Sequence, residues 1–270
     1  MYTLGFIGVG HLGSALLDGF LSTGVLSPAS VCAYDPDEMV RASLTVSGVT
    51  SLSDECEVVS SSKIVIVAVR PGDVRSVMEK IKDTVTFNNV LVSVAAGVPV
   101  SAIKRYLGKE CKLVRAIPNV ACRYGQGVTA MAYAMPITYG ELQSVKDLFE
   151  AVGLLRVVEE RRLNDYIAAA SSSAAYFYAM VKAVADGAVA QGLDAETASA
   201  VAIRSIVGAA KNLETSRKSV DEMIASVATP RGTTEAALDV MEKNGFAQLM
   251  ADAMLACTKR ANELDVINDN

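Results

Sequence analysis

The residues best placed to do chemistry lie near the amino terminus, in the run Gly8-Val9-Gly10-His11-Leu12-Gly13. Glycines at this spacing suit a backbone that turns tightly, approaches a ligand closely and then starts a helix against a strand. The chemistry on offer is anion binding, because a helix N-terminus presents free N–H groups and the positive end of its dipole. The context supports this reading. An apolar run, Leu4–Ile7, comes before the glycines, and Leu12, Leu16, Leu17 and Phe20 follow at helical spacing. The loop is therefore a candidate pyrophosphate site for NAD or NADP, with His11 and Leu12 opening the helix.

Asp35 closes the next apolar run, at the distance where such domains place the carboxylate that accepts from the adenine ribose hydroxyls. A carboxylate there repels a 2′-phosphate, which favours NADH over NADPH. The run Tyr34-Asp35-Pro36-Asp37 also reads as a simple turn, and Arg41 is within reach of a phosphate. Further on, Ala68-Val69-Arg70-Pro71 and Ala95-Ala96 end two more apolar runs. In an open α/β sheet the ligand crosses these carboxyl ends, and small residues leave room for it. Ordinary loop chemistry accounts for them equally well.

Other catalytic residue types are scarce. His11 is the one histidine, so no second imidazole exists for a Ser-His-Asp arrangement, and no metal-ligand cluster is present. Lys182 and Lys211 are the helical lysines that a hydroxy-acid dehydrogenase would need as acid-base groups; neither is expected to reach a nicotinamide. The run Ala228-Thr229-Pro230-Arg231-Gly232-Thr233-Thr234 precedes a helical pattern. Its N–H groups and hydroxyls form either an anion nest for a carboxylate or an ordinary helix cap.

The elements that position these residues follow from the pattern. The chain has 270 residues, 51% of them hydrophobic, and a net charge of -5. That length suits two domains. Without a basic patch, nucleic acid and anionic membrane surfaces are disfavoured as partners. Five cysteines with no C-x-x-C pair argue against a disulfide framework and imply a reducing compartment. The first strand begins almost at Met1, leaving no room for a targeting peptide, so a cytoplasmic location is expected. The uncharged run between Asp165 and Lys182 is too short and too rich in Ala and Ser for a membrane span.

Apolar runs at Leu4–Ile7, Val31–Tyr34, Ile64–Val69, Val90–Val94, Leu113–Ile117, Val128–Ala132 and Leu155–Val158 predict strands. Several are apolar at every position, as in a parallel sheet covered on both faces. Amphipathic helices separate them. This predicts an α/β fold, a Rossmann-type doubly wound sheet over residues 1–160. Beyond Arg161 the pattern is helical only. One long helix is predicted from Asn164 to Gly192, then helices capped by Asp194 and by a Ser219/Glu222 box, a helix Thr233–Asn244 ended by Gly245, and a last one from Phe246. Residues 161–270 thus form an all-α domain whose many Ala and Ser residues suit close helix packing or an interlocked dimer.

The chain resembles the pyrroline-5-carboxylate reductase family over nearly its whole length. The resemblance rests on the glycine loop, on Ala68-Val69-Arg70-Pro71-Gly72, Val94-Ala95-Ala96-Gly97-Val98, Arg115-Ala116-Ile117-Pro118-Asn119 and Ala185-Asp186-Gly187, and most specifically on Thr229-Pro230-Arg231-Gly232-Thr233-Thr234. It implies NAD(P)H-dependent reduction of a cyclic imine acid, 1-pyrroline-5-carboxylate, to L-proline. It implies that Thr234 bonds the imine nitrogen, that Thr229, Gly232 and Thr233 belong to the substrate site, and that Asn119 and Pro118 shape the wall near the nicotinamide. It also implies a homodimer through the helical domain, or a higher oligomer, with each active site drawing on two chains. The chain departs from the family pattern at Ser171-Ser172-Ser173-Ala174, where Gly-Ser-Gly-Pro is usual, at Arg231, where Gly is usual, and at Val120-Ala121, where Thr-Pro is common. A paralogue reducing another cyclic imine and a non-catalytic dinucleotide-binding protein are the alternatives these departures leave open.

Overall fold

The computed structural model describes residues 1–269. Eight strands form one sheet: β1 (Tyr2–Ile7), β2 (Val31–Tyr34), β3 (Thr50–Ser51), β4 (Ser62–Val67), β5 (Val90–Ser93), β6 (Lys112–Ile117), β7 (Gly127–Ala134) and β8 (Gly153–Val157). Their order is β3-β2-β1-β4-β5-β6-β7-β8. The first six are parallel; β7 runs antiparallel to β6 and pairs in parallel with β8. The strand order reverses between β1 and β4, which defines the doubly wound sheet expected from the sequence.

The helices of this part are α1 (His11–Ser22), α2 (Glu38–Val46), α3 (Glu55–Ser61), α4 (Val74–Ile81), α5 (Val100–Leu107) and α6 (Tyr139–Ala151). They cover both faces, and the strand side chains divide accordingly. Leu4, Phe6, Ile64, Ile66, Val92 and Val114 pack with α1 and α6. Val65, Val67, Leu91 and Leu113 point the other way, toward Val74, Met78 and Ile81 of α4 and Ile103 of α5. This is why the strands are apolar at successive positions rather than at alternate ones. Phe20 of α1 stands edge-on to Phe149 of α6 at 5.8 Å, fixing the helix that carries the glycine loop.

Two elements depart from the sequence reading. The two-residue strand β3 was not legible, because Thr50 and Ser51 carry no apolar run and pair at an edge. The single helix expected over Asn164–Gly192 is broken. It comprises α7 (Leu163–Tyr166), a π-turn at Ile167–Ser171 and α8 (Ser173–Ala190). The Ser172 N–H reaches back five residues to the Ile167 carbonyl at 2.7 Å. The Asn119 side-chain amide donates to the Ala170 carbonyl at 2.9 Å, diverting an acceptor from the helical ladder. Competition of this kind widens a turn.

The described residues form two compact units, one of residues 1–172 with 257–269 and one of residues 173–256. Beyond α8 the helices are α9 (Ala195–Thr215), α10 (Val220–Val227), α11 (Thr233–Lys243) and α12 (Phe246–Asp269). The expected caps are present. Asp194 accepts from the Thr197 N–H, Ser219 and Glu222 form a reciprocal capping box, and Gly245 ends α11 in the left-handed conformation. In the second unit, few apolar side chains are buried. Ala198 and Ala202 are buried, whereas Phe177, Val201, Ile203, Val207 and Leu255 are largely exposed. An apolar surface of this extent on a helical unit marks an association surface.

Candidate active site

The glycine loop joins β1 to α1 at the reversal of strand order. Each glycine meets a different constraint. Gly8 has φ +87°, and an added Cβ would lie 2.9 Å from the Ala68 carbonyl. Its N–H donates to the Tyr34 carbonyl at 2.9 Å, so the turn is clasped between β2 and β4. A Cβ on Gly13 would lie 2.6 Å from the Gly8 carbonyl oxygen, so glycine lets α1 pack directly on the turn. A Cβ on Gly10 would meet no heavy atom within 4 Å. Packing therefore does not require glycine at position 10. The open space lies at the N-terminus of α1, where the Gly10 backbone is the N-cap. That is a cradle a side chain would fill and a pyrophosphate fits.

Asp35 lies one residue beyond β2 and is 8% exposed. Its carboxylate accepts from the Val9 N–H at 2.7 Å and from the Asp37 N–H at 3.0 Å. It braces the glycine loop as well as sitting where a ribose contact is expected. The Arg41 guanidinium donates to the Asp35 and Pro36 carbonyls and pairs with Glu38. Ala68 is partly buried under the Gly8 turn, Val69 packs on the core, and Arg70 and Pro71 lead into α4. Ala95 is buried; Ala96 is partly exposed at the end of β5. The structure thus gathers Gly8, Gly10, Gly13, Asp35 and Ala68 around the turn between β1 and α1. His11 is exposed at the first position of α1.

Asn119 uses both ends of its amide on backbone, donating to Ala170 and accepting from the Val128 N–H at 3.2 Å. It ties β7 to the π-turn. Ser171 donates to the Pro118 carbonyl at 3.4 Å. One buried group was missed by sequence reading. Arg115, 1% exposed, pairs with Glu160 at 2.9 Å and with Asp265 at 3.4 Å. A charge in the middle of the apolar run Leu113–Ile117 was the available signal.

In the helical unit, Thr233 and Thr234 open α11. Thr234 is partly buried and lines a cleft of about 300 Å³ together with Asn212, Leu213, Met223, Ile224 and Leu238. Gly232 cannot carry a side chain, because a Cβ would lie 2.6 Å from the Thr229 hydroxyl. Its N–H bonds the Thr229 carbonyl at 2.9 Å, closing the turn. Arg231 adopts φ +62°, the one non-glycine residue in the left-handed region among the described residues. Its N–H donates to the Glu235 carboxylate at 2.6 Å. The lysines of the dehydrogenase alternative are taken up on helix surfaces, Lys182 by Asp186 and Lys211 by Glu214.

Burial raises the thiol pKa of Cys32, Cys111 and Cys122, so these cysteines are poor nucleophiles. Among the described residues no cluster of His, Cys, Asp and Glu could hold a metal ion, and no helix is long and apolar enough to cross a membrane.

A doubly wound sheet with a glycine-lined phosphate cradle and an appended helical unit defines an NAD(P)-dependent oxidoreductase. Comparison with known proteins agrees on both parts. Residues 3–97 match the family model described as NADP oxidoreductase coenzyme F420-dependent, and residues 160–264 match that for pyrroline-5-carboxylate reductase dimerisation. The pyrroline-5-carboxylate reductase of Pisum sativum is 32% identical over 97% of this chain and 96% of its own length. That of Escherichia coli is 29% identical, with 97% of each chain covered. The structure is similar to a pyrroline-5-carboxylate reductase from Coxiella burnetii, with TM-score 0.88, 27% identity and coverage of 97% and 98%. In fold it is also similar to the Plasmodium falciparum pyrroline carboxylate reductase with NADP bound, with TM-score 0.89, 23% identity and 98% of each chain covered. The chain belongs to the pyrroline-5-carboxylate reductase family.

Proposed function

We propose that this protein reduces 1-pyrroline-5-carboxylate to L-proline with NAD(P)H, as the closing step of proline synthesis. The observation that carries this reading is the 32% identity to a reductase of that name over 97% of the chain. The division of labour falls at residues 160/161. The part before it holds the dinucleotide through Gly8, Gly10, His11, Leu12, Gly13 and Asp35, with Ala68, Val69, Arg70, Pro71, Ala95 and Ala96 along the strand ends. The part after it supplies the substrate groups and the homodimer contact.

Bound NAD(P)H supplies the hydride. The protein's own residues supply geometry, which suffices for a C=N carbon that is already electrophilic. As the C=N bond is reduced, the nitrogen gains a pair of electrons and takes a proton. Thr234 would hold that nitrogen by hydrogen bonding and pass it the hydroxyl proton, which solvent replaces. Thr229, Gly232 and Thr233 hold the carboxylate at the head of α11, where Gly232 keeps the turn closed and the first-turn N–H groups and helix dipole favour an anion. Asn119 shapes the wall beside the nicotinamide. Asp35 favours NADH, because its charge opposes a 2′-phosphate. Five unpaired thiols support a reducing, cytoplasmic setting.

The test is oxidation of NADH and NADPH in the presence of 1-pyrroline-5-carboxylate, for the wild type and for Thr234→Ala. Turnover in the wild type with at least a tenfold loss of kcat in the variant supports the reading. No turnover with either cofactor overturns it. Turnover only with a different cyclic imine moves the protein to a paralogous substrate.

A further inference from the structure

We propose that Arg115 is a positioning residue for the loop between β5 and α5, and so for the nicotinamide end of the cofactor. This rests on the cofactor reading above.

The loop Ala95–Pro99 is pinned at two points. At its far end the Val100 N–H, in the first turn of α5, donates to Glu160 Oε1 at 2.7 Å. In its middle, Gly97 lies against the end of α12. A Cβ there would stand 2.7 Å from Leu264 Cβ, and φ is +72°. Glu160 and the end of α12 both answer to Arg115. One guanidinium nitrogen donates to Glu160 Oε1 at 2.9 Å and another to Asp265 Oδ1 at 3.4 Å. Asp265 also accepts from the Asn164 amide at 2.5 Å. Residues far apart in sequence are thereby fastened beside one loop.

Stability alone does not explain this cluster. Arg115 Nε is buried without a hydrogen-bond partner, and so are Ser93 Oγ on the neighbouring strand and Asn164 Oδ1. Buried ion pairs with unmet groups are often replaceable by apolar residues without loss of stability. What the guanidinium adds is direction. It fixes two carboxylates at once, and each fixes one part of the loop. Ala95 is buried by the loop's packing and Ala96, half-buried, packs against the cluster of Ile117, Leu163 and Ile167 at the carboxyl end of the sheet, where the nicotinamide would lie. The pyrophosphate is held elsewhere, at the Gly10 cradle. Loosening the β5–α5 loop should therefore misplace the reacting ring without releasing the cofactor.

The experiment compares wild type, Arg115→Met, Arg115→Lys and Gly97→Ala, using NADH, deuterated NADH and 1-pyrroline-5-carboxylate. Arg115→Met and Gly97→Ala, whose added Cβ would stand 2.7 Å from Leu264 Cβ, are expected to lower kcat at least tenfold, leave the NADH Kd within about twofold, and raise the deuterium isotope effect on kcat. Arg115→Lys should restore part of kcat. A fall in kcat with an unchanged isotope effect means only fewer folded molecules, and overturns the proposal. Wild-type kcat in Gly97→Ala overturns it as well, and that variant leaves the buried charges intact if Arg115→Met does not fold. Failure of the wild type to bind NADH would instead sink the cofactor reading beneath it.

Discussion

Asp35 Oδ2 accepts the backbone N–H of Val9 at 2.7 Å, joining the end of β2 to the glycine loop. The bond is buried and charge-assisted, so its loss should cost about 1.5–3 kcal/mol in loop order. Asp35→Ala is therefore expected to raise the KM for both dinucleotides by roughly tenfold. NADH should suffer more than NADPH, because the variant also removes the charge that opposes a 2′-phosphate. Steady-state kinetics with each cofactor check this. An unchanged KM for NADPH would remove the brace, and an unchanged ratio would remove the ribose contact.

Gly10 and Gly13 should respond in opposite ways to the same substitution. Gly10→Ala adds a methyl group into open space at φ -66°, so the unfolding midpoint should stay within about 0.5 kcal/mol of wild type. NADH binding should nevertheless weaken more than tenfold, because the methyl group occupies the cradle. Gly13→Ala drives a Cβ to 2.6 Å from the Gly8 carbonyl and should cost about 1–3 kcal/mol through overpacking. Paired urea melts and fluorescence titrations decide it; a Gly10→Ala protein that binds NADH normally would empty the cradle of meaning.

Arg231 holds φ +62°, where an L side chain clashes with its own backbone. Arg231→Gly should relieve that strain. After the extra chain entropy that glycine loses on folding, the net gain should be about 0.5–1 kcal/mol. The N–H bond to Glu235 is backbone-borne and survives the change. Arg231→Val should destabilise instead, because a β-branched residue tolerates this conformation least. Chemical denaturation of the two variants checks the sign.

Glu141 gives the fold a measurable acid limb. Burial by itself would raise its pKa, but the Lys112 ammonium and the Thr138 cap together outweigh that and lower it below its ordinary value of 4.5. A carboxylate with a lowered folded pKa adds stability above its unfolded pKa and loses it as pH falls through the folded value. Wild type should therefore exceed Glu141→Gln in unfolding midpoint at neutral pH, and the two curves should converge below about pH 4. Parallel curves across the acid range would refute the assignment.

The legible parts of this protein are those whose physics is local. A helix needs its cap within a few residues, so Asp194, Ser219 with Glu222, and Gly245 were readable from spacing and are found in place. A covered parallel strand is apolar nearly throughout, so β1, β2, β4, β5 and β6 were marked by composition; β7, antiparallel to β6, and the largely exposed β8 were marked by apolar runs of their own. The glycine loop was readable because its neighbours on both sides carry the strand and helix it needs.

What the sequence could not decide depends on groups far apart in the chain. The π-turn at Ile167–Ser171 is set by Asn119, some fifty residues away, whose amide takes the Ala170 carbonyl. Arg115 could be recognised as unusual in a strand, but its partners Glu160 and Asp265 could not be named, because Coulomb attraction acts through space and leaves no spacing rule. The same holds for the loop that opened the chain. Sequence determined that Gly8, Gly10 and Gly13 make the turn from β1 into α1. The tertiary structure decided which of them packing requires, since only the approach of Ala68 and of α1 distinguishes the crowded Gly8 and Gly13 from the open Gly10.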